Sequence, residues 1–195
     1  MNRTRFAAAA LAACLAFTAT SALAVREVGS AKFEDTQSVA GQNLVLNGAG
    51  MRVKMIIKVY AVALYLPRKE ANAVAALNQP GPKRIQLVMM RDVPADKLGE
   101  SLVDGITANT TPAERGALQS RIDELEKAMV ALGEARKGSV IQLDYVPATG
   151  TRITLAGKPV MRDVPGEDFF KALLKIWLGD KPADGDLRAR LLGVE

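Results

Sequence analysis

The chain has 195 residues and a formal charge of +5 at neutral pH, with charges of both signs scattered along its length. It contains no histidine, which excludes the commonest general base and the commonest transition-metal ligand. The chain has no basic tract of the kind that would predict a nucleic-acid partner. Its length suits one domain with one hydrophobic core.

The first 24 residues have the pattern of an export signal. Residues 2–5 form a basic start, residues 6–13 continue it as an apolar run, and residues 22–24 (Ala-Leu-Ala) form a small-residue cleavage site. The apolar run is too short for a stable membrane span. We therefore expect a mature chain from Val25 to Glu195, without a transmembrane segment, in the periplasm or secreted.

Lipoprotein processing at Cys14 is the alternative for this N-terminus. It is disfavoured because ten further apolar and small residues follow Cys14, where a lipoprotein usually turns polar. Signal removal also takes away Arg3 and Arg5, which lowers the formal charge from +5 to +3. Because Cys14 is the only cysteine, a mature chain from Val25 has no disulfide, thiol nucleophile or thiolate metal site.

The first part of the mature chain predicts several strands. Residues 31–36 and 43–46 have strand patterns around a turn at Gly41, and residues 47–50 (Asn-Gly-Ala-Gly) predict a further break. Residues 55–66 are rich in Ile, Val and Tyr with both faces apolar, which is typical of a central strand covered on both sides. A short helix over 70–77 and a strand over 84–90 follow.

The remaining chain predicts helices on either side of a strand pair. Apolar residues recur at helical spacing from Pro94, and a second helix begins with Pro112 at its first position. Residues 139–155 predict a hairpin. A helix carrying Trp177 as a packing anchor and a short helix over 184–192 close the chain. Strands and helices in runs, without regular alternation, predict an α+β domain with a mostly antiparallel sheet.

No metal or cofactor motif is predicted. Asp92, Asp96, Glu100 and Asp104 are spread over a helix and its start, which indicates a solvated face rather than a calcium cage. The glycines at 48 and 50 are not followed by Lys-Ser or Lys-Thr, so they do not form a phosphate-binding loop. We expect no metal and no cofactor.

Three stretches together resemble the chalcone isomerase family, specifically its bacterial exported branch. They are GAGMRVKMIIKVYAVALYL at 48–66, VIQLDYVPATGTRITLAGKPV at 140–160 and DFFKALLKIWLGDKPADGDLRARLLG at 168–193. The resemblance implies an open-faced β-sandwich, in which a large antiparallel sheet is backed by helices with a cleft between them. It covers both plant chalcone isomerases and fatty-acid-binding proteins of the same fold.

The resemblance also implies roles for single residues. Arg52 matches the arginine that binds and polarises the flavonoid in plant isomerases. The threonine of that family falls at Tyr60, its catalytic tyrosine near Leu98 and its asparagine near Gly105. Because the donors that would stabilise an enolate are missing, chalcone isomerase activity is not expected.

In the fatty-acid-binding members, the resemblance implies a pairing of this arginine with a tyrosine, for which Tyr60 is the candidate. A guanidinium fits a carboxylate at two points, and a phenol adds a third donor that tolerates an apolar wall. We therefore predict that a fatty acid or other small amphipathic carboxylate binds head first in an apolar cleft. The predicted ligand-binding residues are Arg52, Tyr60 and Lys58, with tail contacts from Ile57, Val62 and Leu64.

Two alternatives remain open. An intramolecular lyase or other isomerase acting on an unknown substrate requires further donors, such as Lys58 or Thr151, within reach of Arg52. A structural or partner-binding protein requires Arg52 to be bound to the backbone and an exposed apolar patch to lie elsewhere on the surface. In a structural role, Arg52 could also pair with a carboxylate of its own chain. We favour binding over catalysis.

Overall fold

The structure is a computed structural model, which describes residues 25–194. The predicted export signal, including Cys14, lies outside the described residues. Within the described part of the chain, no helix combines the length and the apolar character needed to cross a bilayer.

A seven-stranded sheet forms the centre of the fold, and all of its neighbouring strands pair antiparallel. In spatial order its strands are β11 (Lys158–Pro159), β10 (Gly150–Leu155), β9 (Val140–Val146), β6 (Lys83–Met89), β5 (Ile57–Leu66), β4 (Gln42–Lys54) and β3 (Thr36–Val39). Two small pairs accompany it: β1 (Val25–Val28) with β2 (Ala31–Glu34), and β7 (Val93–Pro94) with β8 (Glu134–Ala135).

Five helices pack on one face of the sheet. They are α1 (Ala73–Asn78), α2 (Ala95–Ala108), α3 (Pro112–Leu132), α4 (Glu167–Leu178) and α5 (Gly185–Leu192). The start of α3 is a capping box, in which the Glu114 backbone N–H donates to the Thr111 hydroxyl and the Thr111 N–H donates to the Glu114 carboxylate. The helix predicted from Pro112 is therefore confirmed.

Strand β5 is buried on both faces, as its apolar run predicted. Val62 and Leu64 belong to the core between the sheet and the helices. Ala63 and Tyr65 belong to a second core, beneath the β1–β2 hairpin on the opposite face. The predicted α+β class, with a large antiparallel sheet backed by helices, is confirmed.

The break predicted at residues 47–50 is absent, because β4 continues through it. Asn47 is an extra residue between the Leu46–Tyr65 and Gly48–Leu64 pairs, so it forms a β-bulge. A Cβ on Gly48 would overlap the Arg190 carbonyl oxygen and lie 2.7 Å from the Leu191 carbonyl oxygen. The glycine therefore allows α5 to approach the sheet, and it does not mark a turn.

The chain reverses direction at Met55 and Ile56 instead. Lys54 pairs with Ile57, so the hairpin between β4 and β5 has a two-residue turn. Turns of this kind favour glycine and asparagine, which are missing here, and the sequence gives no ordinary turn signal. A second bulge places Val59 as the unpaired residue between the Val53–Lys58 and Arg52–Tyr60 pairs.

Candidate functional site

Arg52 and Tyr60 are cross-strand partners near the turn of the β4–β5 hairpin. Both line a cleft of about 500 Å³ between this end of the sheet and helices α2 and α4. Small-molecule sites usually have volumes of about 300–1,000 Å³, so the cleft has a suitable size. Its apolar lining includes Val59, Leu87, Leu98, Leu102, Ile176 and Trp177.

The Arg52 guanidinium is only partly engaged by the protein. Its Nη1 donates to the Val53 carbonyl oxygen and lies 3.3 Å from Oδ2 of Asp184. The side chains of Arg52 and Asp184 are 21% and 22% exposed. Because both contacts use Nη1, the Nε–Nη2 edge has no partner among the described residues and keeps the two-point geometry that suits a carboxylate.

Asp184 also has a structural role, because it caps the N-terminus of α5. Its Oδ1 accepts a hydrogen bond from the Leu187 backbone N–H at 3.1 Å. The pairing of Arg52 with a carboxylate of its own chain, one of the alternatives left open by the sequence, is therefore present. The cleft lies beside this pair, so the pairing and a ligand are not mutually exclusive.

The Tyr60 hydroxyl is held in place by a neighbouring tryptophan. The Trp177 Nε1–H donates to the Tyr60 hydroxyl oxygen at 3.1 Å, and both side chains are buried. Burial raises the pKa of Tyr60, and the hydrogen bond from Trp177 and then the charge of Arg52 offset part of that effect. The phenol therefore stays protonated near neutral pH, and its O–H is available to donate to a ligand.

Trp177 is part of the main core, which agrees with its predicted role as a packing anchor. Its hydrogen bond to Tyr60 was not predicted from the sequence. Indole nitrogens usually have a polar partner when buried, and this habit is the signal that could have indicated the bond.

The rim of the cleft is mainly cationic. Lys54, Arg91, Lys97 and Lys181 line it in addition to Arg52, whereas its acidic lining residues are Asp92 and Asp104. Of these cations, Lys97 is paired with Glu100 at 2.7 Å, and Arg52 lies 3.3 Å from Asp184. This excess of positive charge favours an anionic ligand. Among residues 25–194, no three acidic side chains come close enough to form a metal site.

Lys58 and the predicted tail contacts lie elsewhere. Lys58 is exposed on the hairpin and is not among the residues that line the cleft, because the bulge brings Val59 to the cleft beside Tyr60. Ile57 is 45% exposed, and Val62 and Leu64 are packed in the core away from the cleft lining. The apolar contacts available to a ligand come from β6, α2 and α4 instead.

The other positions matched through the resemblance also lie in this cleft. Leu98 and Gly105 line it together with Arg52 and Tyr60. A Cβ on Gly105 would lie 2.9 Å from two carbons of Ile176, so helix packing leaves no room for an asparagine there. Thr151 is fully buried, is not part of the cleft lining, and exchanges backbone hydrogen bonds with Val164.

Comparison with known proteins agrees with this architecture. Residues 25–193 match the family described as chalcone isomerase-like. The chain belongs to this family. No curated protein sequence matches it significantly.

Chalcone isomerase-like architecture is also seen in a solved structure, the crystal structure of a fatty-acid binding protein from Arabidopsis thaliana. The two folds align with a TM-score of 0.63 and 16% sequence identity, covering 84% of this chain and 92% of the plant protein. At this identity, the similarity shows a shared fold.

Proposed function

We propose that this chalcone isomerase-like protein is exported to the periplasm and binds a fatty-acid-like carboxylate through Arg52 and Tyr60. One observation carries the proposal: Arg52, whose Nε–Nη2 edge has no partner among residues 25–194, and the neutral phenol of Tyr60 are cross-strand neighbours that line the same cleft of about 500 Å³. The fatty-acid-binding function of a plant protein with the same fold supports it.

The carboxylate would bind to the Nε–Nη2 edge of Arg52 and accept a third hydrogen bond from Tyr60. A bidentate, charge-assisted contact of this kind is stronger than a bond between neutral groups. Asp184 would then compete with the ligand for the same positive charge, since it lies 3.3 Å from Nη1. The site therefore favours ligands whose tails add binding energy to that of the head group.

The tail would lie against Leu87, Leu98 and Leu102 at the inner end of the cleft. Beyond these three side chains, the apolar space between the sheet and helices α2 and α3 contains a void of only about 20 Å³. A longer tail would have to push α2 aside. We therefore expect affinity to rise with chain length until the cleft is full, and then to level off or fall.

Binding can be tested with a fluorescent fatty acid and its displacement by decanoate or by methyl decanoate. Arg52→Met should weaken decanoate binding about 10–100-fold, because bonds to charged groups contribute about 1.5–3 kcal/mol. Tyr60→Phe should weaken it by about 2–10-fold, since a typical neutral bond contributes about 0.5–1.5 kcal/mol. Methyl decanoate should bind Arg52→Met and the wild type with similar affinity, because it lacks the charge that the guanidinium pairs with.

Arg68→Met is the matched control, because Arg68 is exposed just beyond the other end of β5. It should bind decanoate like the wild type. Equal decanoate affinity in Arg52→Met and wild type would refute the head-group assignment. Equal affinity of the wild type for decanoate and methyl decanoate would also refute the head-group assignment.

Export is tested separately, by fractionating cells that produce the full chain. We expect the protein in the periplasmic fraction with Val25 as its first residue. Cys14→Ser should leave processing unchanged. If this substitution instead blocks maturation, the chain is a lipoprotein.

A further inference from the structure

The tip of the β4–β5 hairpin is unusually apolar for a solvent-exposed turn. Met55 is 92% exposed, Ile56 is 94% exposed, and Ile57 follows at 45%. The other large apolar side chains that are exposed in residues 25–194 stand singly along the chain, at Val25, Val74, Val130 and Val194. Contiguous exposed apolar residues usually indicate an interaction surface.

The needs of the turn do not explain these residues. Met55 has a φ of 58°, which is unfavourable for a methionine. In two-residue turns, positions with positive φ are usually occupied by glycine or asparagine. Packing does not explain them either, since Met55 and Ile56 are almost fully exposed. The hairpin therefore carries a conformational cost and an exposed apolar tip, as functional sites often do.

Positive charges surround this tip. Lys54 and Lys58 flank it and are both exposed. Lys54 also lines the cleft, whose rim adds Arg91 and Lys181. Lys97 lies at the same rim but is paired with Glu100. Apolar side chains next to lysines suit the interface of an anionic bilayer, where the apolar groups enter the acyl boundary and the ammonium groups stay with the phosphates.

We propose that the β4–β5 hairpin docks this protein on an anionic phospholipid bilayer, with Met55, Ile56 and Ile57 inserted into its surface. Arg52 lies in β4, three residues before Met55 in the chain, so docking would place the mouth of the cleft at the bilayer. Docking itself does not depend on the proposed function. Direct exchange of an acyl ligand with the membrane is a consequence that rests on it.

A bilayer fits this tip better than a folded protein partner does. A standard protein interface buries about 800 Å² on each side. Three side chains at the end of a two-residue turn offer a narrow projection and not a surface of that size. A lipid interface needs no matching shape, so a few inserted apolar residues and nearby lysines are sufficient.

Flotation of the full mature chain with phospholipid vesicles tests the proposal. Vesicles of phosphatidylcholine with phosphatidylglycerol should bind the wild type, whereas pure phosphatidylcholine vesicles should bind it much less. The key variant replaces Met55→Gly and Ile56→Asn together, which restores ordinary turn chemistry while removing the apolar tip. We expect it to bind anionic vesicles at least about tenfold more weakly and to fold at least as stably.

Two further variants separate the contributions of charge and of general apolar character. Lys58→Gln should lower binding to anionic vesicles about fivefold, since a lysine near such a surface contributes about 1 kcal/mol. Val130→Asp removes an exposed apolar side chain from α3 and should bind like the wild type. Decanoate binding in solution should be the same in all these variants, so a failure of docking is distinguishable from a failure of the proposed function.

Three results would overturn the proposal. In the first, the wild type shows no measurable affinity for anionic vesicles. In the second, the Met55→Gly, Ile56→Asn variant floats with them as well as the wild type does. In the third, light scattering finds a dimer of the wild type that this variant cannot form, which would make a second copy of the chain the occupant of the tip.

Discussion

Replacement of Asp184 by asparagine separates the charge of this residue from its structural role. Asparagine caps helix N-termini about as well as aspartate, so the hydrogen bond to the Leu187 N–H and the position of α5 should be retained. The substitution removes only the carboxylate that lies 3.3 Å from the Arg52 guanidinium. If Asp184 competes with a bound carboxylate, Asp184→Asn should bind fatty acids more tightly than the wild type.

The size of the effect follows from the geometry of the pair. At 3.3 Å and an effective dielectric constant of about 20, the direct Coulomb attraction is about 5 kcal/mol. Solvent screening and the cost of ordering the side chains reduce the net value of most exposed pairs to about 0–1 kcal/mol. For this partly buried pair, beside a ligand that needs the same charge, we expect about 1–2 kcal/mol, or about 5–30-fold tighter decanoate binding.

Isothermal titration of decanoate into both proteins measures this change. Asp186→Asn is the matched control, because it makes the same chemical change in the first turn of the same helix, on an exposed side chain. Its decanoate affinity should stay within about twofold of the wild type, given the small effect of surface charges. Unchanged or weaker binding by Asp184→Asn would refute the competition between Asp184 and the ligand.

Three further predictions concern stability. Gly48→Ala should destabilise the fold by about 1–3 kcal/mol or more in urea unfolding, because its Cβ would press on the last turn of α5; unchanged stability would contradict that packing. Arg84→Met should lower the free energy of unfolding by about 3–5 kcal/mol, because it leaves the buried Asp144 without its two 2.7 Å hydrogen bonds from Arg84. The Arg84→Met, Asp144→Leu double variant should recover much of this loss. Equal losses in the single and the double variant would argue against a buried, unpaired charge as the cause. Burial raises the pKa of all three tyrosines above 10, so their absorbance should titrate at higher pH in the native protein than in denaturant. Their contribution to stability should be complete below pH 10 and should be lost as the pH rises above 10. Titration of the native tyrosines at pH 10 would refute this prediction.

Local rules predicted most elements of the fold. The helix at Pro112 could be predicted because its capping box and proline are local signals. The double-faced strand β5 could be predicted because burial on both sides leaves an unbroken apolar run. The break predicted from the glycines at 48 and 50 was wrong, because glycine occurs both in turns and where a helix that is distant in sequence approaches the backbone closely.

The site was less accessible to sequence reasoning, because its partners come from distant segments. Asp184 was predicted at the start of the last helix, but its contact with Arg52, 132 residues away in sequence, depends on how α5 packs on β4. The bond between Trp177 and Tyr60 depends on packing in the same way. The resemblance indicated Arg52 and Tyr60, whereas residues such as Lys54 and Lys97 become part of the cleft only through the folded arrangement.

The shared orientation of Arg52 and Tyr60 depends on a single bulged residue. A regular hairpin with its turn at Met55 and Ile56 would pair Arg52 with Val59, and Tyr60 would then point to the opposite face of the sheet. Because Val59 is left unpaired, the register shifts by one residue and Arg52 lies opposite Tyr60 instead. Bulges commonly redirect a side chain in this way near functional sites. The same short hairpin therefore provides the polar pair in the cleft and, three residues after Arg52 in the chain, the exposed apolar tip.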